Sequence, residues 1–113
     1  MAKDLEINIV RNGACSVVHI QGDIDLKSSP ELRSAIFDLF EKRGQERVIL
    51  DLKGVNYIDS SGVASLVEGL QEAKKRKARF ILTGLNEAPR HVLNLTRLTS
   101  VFEITETLEE ALR

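Results

Sequence analysis

The chain has 113 residues, enough for one domain around one hydrophobic core. Its 16 basic and 17 acidic residues nearly cancel, so charge gives no reason to expect nucleic acid or an anionic membrane as partner. Cys15 is the single cysteine, which excludes an internal disulfide and fits a reducing, cytoplasmic setting. No apolar run has the length of a signal peptide or a membrane span.

Leu5, Ile7 and Ile9 alternate with Glu6 and Asn8, the period of a half-buried strand. Asn12-Gly13 supplies two residues tolerant of positive φ for a tight turn, and Cys15 to Ile20 returns antiparallel. Gly22-Asp23-Ile24-Asp25 then leads to a helix. Ser28 and Glu31 have capping-box spacing, and Pro30 suits a first turn. The stripe Leu32, Ala35, Ile36, Leu39, Phe40 follows helical spacing, and Gly44 is a stop.

Arg47 to Leu52 is a strand. Its unbroken Val48-Ile49-Leu50 predicts burial on both faces, as in a parallel sheet. Val55 to Ile58 enters Asp59-Ser60-Ser61-Gly62, and Val63, Leu66, Val67 and Leu70 form the apolar face of a second helix. Phe80-Ile81-Leu82 is a buried strand closed by Gly84. A third helix is expected from near Pro89 to Leu95 with Val92 and Leu93 inward, then a strand over Val101 to Ile104. Thr107 and Glu110 repeat the capping-box spacing before a last helix.

The order is strand, strand, helix, strand, helix, strand, helix, strand, helix, with right-handed crossovers after the hairpin. The expected product is one α/β domain over residues 1–113, with a mixed, mainly parallel sheet of about five strands and about four helices. Sites in such sheets lie beyond the carboxyl ends of the strands. That singles out two loops, Gly22 to Ser29 and Ile58 to Gly62.

Two readings of Asp59-Ser60-Ser61-Gly62 are open. A serine at the N-cap accepts a bond from an unpaired amide, and Asp59 suits the positive end of the helix dipole. Alternatively, Ser60 is a phosphorylation switch. A phosphate adds about 1.5 to 2 negative charges and three acceptor oxygens. The amides of the helix start are then expected to hold it without rearrangement, while a docked partner is repelled.

The longer run favours the switch. Asn56-Tyr57-Ile58-Asp59-Ser60-Ser61-Gly62-Val63-Ala64, after Val48-Ile49-Leu50-Asp51-Leu52, resembles the signature of the STAS domain, and of free-standing bacterial anti-sigma factor antagonists in particular. The resemblance includes Ile20-Gln21-Gly22-Asp23-Ile24-Asp25, Ser29-Pro30-Glu31-Leu32, Phe80-Ile81-Leu82-Thr83-Gly84 and Val92-Leu93-Asn94-Leu95 with Phe102.

It implies a binding protein rather than an enzyme. It implies no cofactor or metal, and Ser60 as the residue phosphorylated. The implied partner is an anti-sigma factor serine kinase of the histidine-kinase-type ATPase fold; the unphosphorylated chain binds it and frees a sigma factor, the phosphorylated chain lets go, and a serine phosphatase resets the switch. Asp59 would flank the acceptor and orient its hydroxyl, Asp25 would lie beside it, Ser61 would support the loop or serve as a minor acceptor, and Gly62 and Val63 would belong to the partner-binding and supporting set. Val63 stands where the family often has leucine and Ala64 where glycine is frequent, which bears on partner affinity more than on fold. The implied oligomeric state is a monomer or weak dimer. The alternative is an accessory STAS subunit, in a stress-sensing assembly or lipid-transport complex, acting as a constitutive binding module.

Other residues carry less. Asp23 and Asp25, one residue apart, could form a metal or acid/base pair but lack a third group of matching logic, so an interaction surface or a turn-stabilising Asp25 is preferred. His19 and His91 have no metal-ligand spacing and read as surface or boundary residues. Cys15 reads as a small packing residue. Lys74-Lys75-Arg76-Lys77 and Arg79 read as a solvated helix end without the interleaved aromatics of a nucleic-acid patch. Gly54, Gly69 and Gly84 read as backbone punctuation, and Thr96 to Ser100 carries no functional reading.

Overall fold

The computed structural model describes residues 5–113. The hairpin pairs β1 (Glu6–Asn12) with β2 (Cys15–Gln21) antiparallel, Asn12 opposite Cys15. The turn is therefore Gly13-Ala14 rather than Asn12-Gly13. Gly13 has φ +63° and Ala14 keeps a negative φ, the II′ arrangement that puts glycine first.

Helix α1 (Ser29–Glu41) crosses to β3 (Arg47–Gly54), α2 (Ser60–Lys75) to β4 (Arg79–Thr83), and α3 (Glu87–Leu95) to β5 (Glu103–Thr105), before the short α4 (Leu108–Leu112). The sheet order is β1-β2-β3-β4-β5, and every pair after the hairpin is parallel. A mixed five-strand sheet with four helices is the architecture expected from the sequence.

β3 is buried on both sides, as its apolar run requires. Val48, Leu50 and Leu52 pack with Leu32, Ile36 and Leu66 of the helices. Ile49 faces the other way, onto Val17, Ile81 and Ala111 of α4. Among the described residues only α4 lies over this second face, so they cover it thinly. At the sheet's edge β1 has no outer neighbour among the described residues, and Ile9 and Val10 are both exposed.

Several local expectations are corrected. Ser28 adopts helical φ and ψ, and its side chain makes no cap bond to the helix. Its Oγ instead accepts the Asp25 amide at 3.0 Å and donates to the Asp23 carbonyl at 2.7 Å, so no capping box forms at α1. The box at Thr107 and Glu110 does form. α3 begins at Glu87, with Pro89 inside its first turn. β5 begins only at Glu103, because Val101 and Phe102 turn back with their amides on the Leu98 carbonyl. Gly69 is a packing residue: a Cβ there would lie 2.9 Å from the Phe80 ring. Thr96 closes α3, its hydroxyl donating to the Val92 and Leu93 carbonyls.

Candidate functional site

The two loops singled out from sequence meet. Beyond Gln21 and Gly54 the β2–β3 ladder breaks, then resumes as a single parallel bridge between Ile24 and Ile58. The Ile24 amide donates to the Tyr57 carbonyl at 3.0 Å, and the Asp59 amide returns to the Ile24 carbonyl at 3.1 Å. Both isoleucines are buried, which anchors the pair of loops to the core.

Asp59 is the N-cap of α2, in the place a serine was considered for. Its Oδ1 accepts the amides of Ser61 at 2.9 Å and Gly62 at 3.1 Å, and its Oδ2 accepts the Leu26 amide at 3.2 Å. One carboxylate thus caps a helix and ties the neighbouring loop to it. The expectation of unoccupied amides at this helix start is corrected in part: Asp59 already holds those of Ser61 and Gly62, and only that of Ser60 stays unbonded among the described residues.

Ser60 is the first helical residue and is exposed. Its hydroxyl and its amide make no hydrogen bond among the described residues. Ser61 is partly exposed, and Val63 is buried. Gly62 sits where no side chain fits: a Cβ would lie 2.6 Å from the Ile24 carbonyl oxygen and 2.5 Å from Ile58 Cγ1. Glycine there lets the helix start approach the first loop.

Asp25 stabilises its own turn. Its Oδ1 accepts the Lys27 amide at 3.1 Å and the Ser28 amide at 2.9 Å. The Ser28 amide is the main reason its carboxyl sits below the usual carboxylate range. Asp23 is exposed and joins this turn through its backbone carbonyl, which accepts the Ser28 hydroxyl. Leu26, 75% exposed, stands on the same loop, and Tyr57, half exposed, immediately precedes Ile58. The site therefore offers an open hydroxyl, a fixed carboxylate and exposed apolar side chains.

Sequence reasoning missed one pairing. His19 Nδ1 lies 2.8 Å from Asp51 Oδ2 on the second face of the sheet, where Asp51 is buried and Lys53 Nζ stands 3.7 Å from the same oxygen. The residues are cross-strand partners in the parallel ladder, a register the sequence does not print. His91 is exposed, and among the described residues no cluster of three metal-ligating side chains occurs. Cys15 is partly exposed, at the start of β2. The basic run is exposed as expected, with Arg76 held by Glu72 at 2.6 Å. No helix among the described residues is long and apolar enough to cross a membrane.

The comparisons with known proteins agree with this geometry. The anti-sigma-B factor antagonist of Bacillus subtilis is 28% identical over 106 residues, covering 94% of this chain and 95% of its own. An anti-sigma factor antagonist from Mycobacterium paratuberculosis superposes with a TM-score of 0.86 at 26% identity, over 96% of this chain and 92% of that one. The Bacillus cell fate determinant SpoIIAA in its phosphorylated form shares the fold, with a TM-score of 0.74 at 20% identity over 95% and 96% of the two chains. The sequence model of the STAS domain matches residues 6–111. With that match spanning nearly its whole length, the chain belongs to the STAS domain family, and its anti-sigma antagonist relatives are binding regulators rather than enzymes.

Proposed function

We propose that this protein is an anti-sigma factor antagonist whose binding to an anti-sigma factor serine kinase is switched at Ser60. The unphosphorylated chain binds the kinase and frees a sigma factor; phosphorylation releases the kinase, and a serine phosphatase resets the chain. The observation that carries the reading is the position of Ser60: exposed, unbonded and first in α2, beside the exposed Leu26 loop.

The local chemistry says how such a switch works. Asp59 already engages the amides of Ser61 and Gly62. A phosphate on Ser60 therefore stands outside the capped helix start, next to a carboxylate. It adds about 1.5 to 2 negative charges to the docking surface. The bonds that zip the two loops remain, so the signal is read as repulsion of a partner rather than as refolding.

The test is phosphoryl transfer in vitro. With a serine kinase of the histidine-kinase-type ATPase fold and magnesium ATP, one phosphate is expected on Ser60, and none on a folded Ser60→Ala variant. Labelling that persists in that variant sinks the reading, as does a permanent complex with a transporter ATPase in which Ser60 stays unmodified.

A further inference from the structure

We propose that a cleft on the second face of the sheet, between the β1–β2 hairpin and α4, binds a small amphipathic carboxylate, with its head on the Arg47 guanidinium and its aliphatic body on Val17. The cleft has a volume of about 460 Å³, within the range that holds small ligands.

Its floor and walls are mostly apolar. Val17 lies between Val10 of β1 and Ile49 of β3 in the ladder. Leu108 and Leu112 of α4 form the opposite wall. Val10 is 51% exposed and Leu112 50%, so this apolar surface faces solvent.

The polar groups are few and sit at the two ends. Arg47, in register with Cys15, closes one end. Its Nη1 donates to the Ala111 carbonyl at 3.2 Å, which fixes the guanidinium. Among the described residues no carboxylate pairs with it, whereas the neighbouring Arg79 is paired with Glu103 and Arg76 with Glu72. The α4 carboxylate of Glu110 is engaged at the helix start, on the amides of Glu106 and Thr107. Arg47 is thus a fixed, partly buried cation with spare donors beside an apolar trough. A planar guanidinium matches a carboxylate in a two-point contact.

The other end is closed by His19, whose ring Asp51 holds in place. Cys15 and His19 are four positions apart on β2, which spans about 13 Å of strand. The trough therefore fits a chain longer than acetate lying along β2. Arg47 begins β3 and Ser60 follows its far end, so the carboxylate head would sit roughly 25 Å of strand length from the phosphorylation loop. Occupancy of this cleft is a second input, separate from the Ser60 surface.

The experiment is a titration of the ¹⁵N-labelled chain with octanoate, with acetate and octanol as controls. Saturable shifts confined to Val10, Val17, Arg47 and Leu108 are expected with octanoate, with much weaker binding of both controls. Arg47→Met keeps the apolar stem and is expected to weaken octanoate at least about tenfold, the loss for removing one charge-assisted contact. Val10→Glu, an exposed edge position, places a like charge at the mouth and is expected to do the same without disturbing the fold. No saturable shift at these residues, shifts centred elsewhere, or equal octanoate affinity in both folded variants overturns the proposal.

Discussion

The Asp59 carboxylate accepts the backbone amide of Leu26 at 3.2 Å across 33 positions of sequence, while its other oxygen caps α2. One side chain thereby sets the spacing between the loop that presents Leu26 and the helix that presents Ser60. Replacing it by alanine removes both roles. Asp59→Ala is expected to lower stability by about 2 kcal/mol, the upper end of a helix cap, and Asp59→Asn by less, because its single acceptor oxygen keeps the cap but gives up the Leu26 bond. Urea denaturation gives the difference. Hydrogen exchange at the Leu26 amide should speed up in both variants, because the one acceptor oxygen left in Asp59→Asn is engaged by the cap and its side-chain nitrogen only donates.

Ser60 behaves in the opposite way. Its side chain is exposed and unbonded among the described residues, and alanine is the better helix former. Ser60→Ala is expected to leave stability within about 0.5 kcal/mol of the parent while abolishing phosphorylation. Equal melting curves together with lost labelling are the signature.

Gly62 meets a rigid obstacle. A methyl group there points at the Ile24 carbonyl oxygen, 2.6 Å away, and backbone cannot swing aside as a side chain can. Gly62→Ala gains helix propensity of up to about 1 kcal/mol but incurs overpacking of about 1 to 3 kcal/mol. Backbone contact places it at the upper end, so a net loss of about 2 kcal/mol is expected. A drop in melting temperature on the order of 8 to 10 °C would register it.

Lys77 holds φ +58° where α2 ends, and the Ala78 amide returns to the Ala73 carbonyl at 2.8 Å. Left-handed backbone costs a side-chain-bearing residue about 1 to 2 kcal/mol. Glycine loses about 0.4 to 1 kcal/mol more of unfolded-chain entropy on folding. Lys77→Gly is therefore expected to stabilise by about 0.5 to 1 kcal/mol in denaturant titrations.

Asp25 gives a pH dependence. Its carboxyl is lowered from 3.8, first by the Ser28 amide, so the folded chain holds its proton less tightly than the unfolded one. That stabilisation is complete above pH 3.8 and is lost as pH falls from there through the lowered value. Asp25→Asn, which cannot ionise, is expected to show a flatter acid limb. Stability curves of the two proteins measured between neutral and acid pH would separate them.

Much of this fold was legible in the sequence because its signals are local. The Val48-Ile49-Leu50 run gave a strand buried on both sides, and the Leu32 to Phe40 stripe gave α1. What escaped depends on distance or on competition. His19 and Asp51 meet through parallel register across 32 positions, and Asp59 meets Leu26 through loop packing. Ser28 has the right spacing for a cap, yet its hydroxyl bonds to Asp23 and Asp25 instead. Val101 and Phe102 have the composition of a strand, but the turn onto Leu98 claims their amides and Phe102 goes into the core. Gly69 looks like any helix glycine until Phe80 is seen against it.

β1 has seven residues and, among the described residues, no outer neighbour, whereas β5 at the other edge has three residues. The sheet can therefore be extended from one side. A strand with neither proline nor a bulge is a template on which another chain's backbone can add. Any substitution that lengthens the life of partly opened molecules will expose more of that template. Such variants are expected to turn cloudy in concentrated solution before their unfolding midpoint is reached.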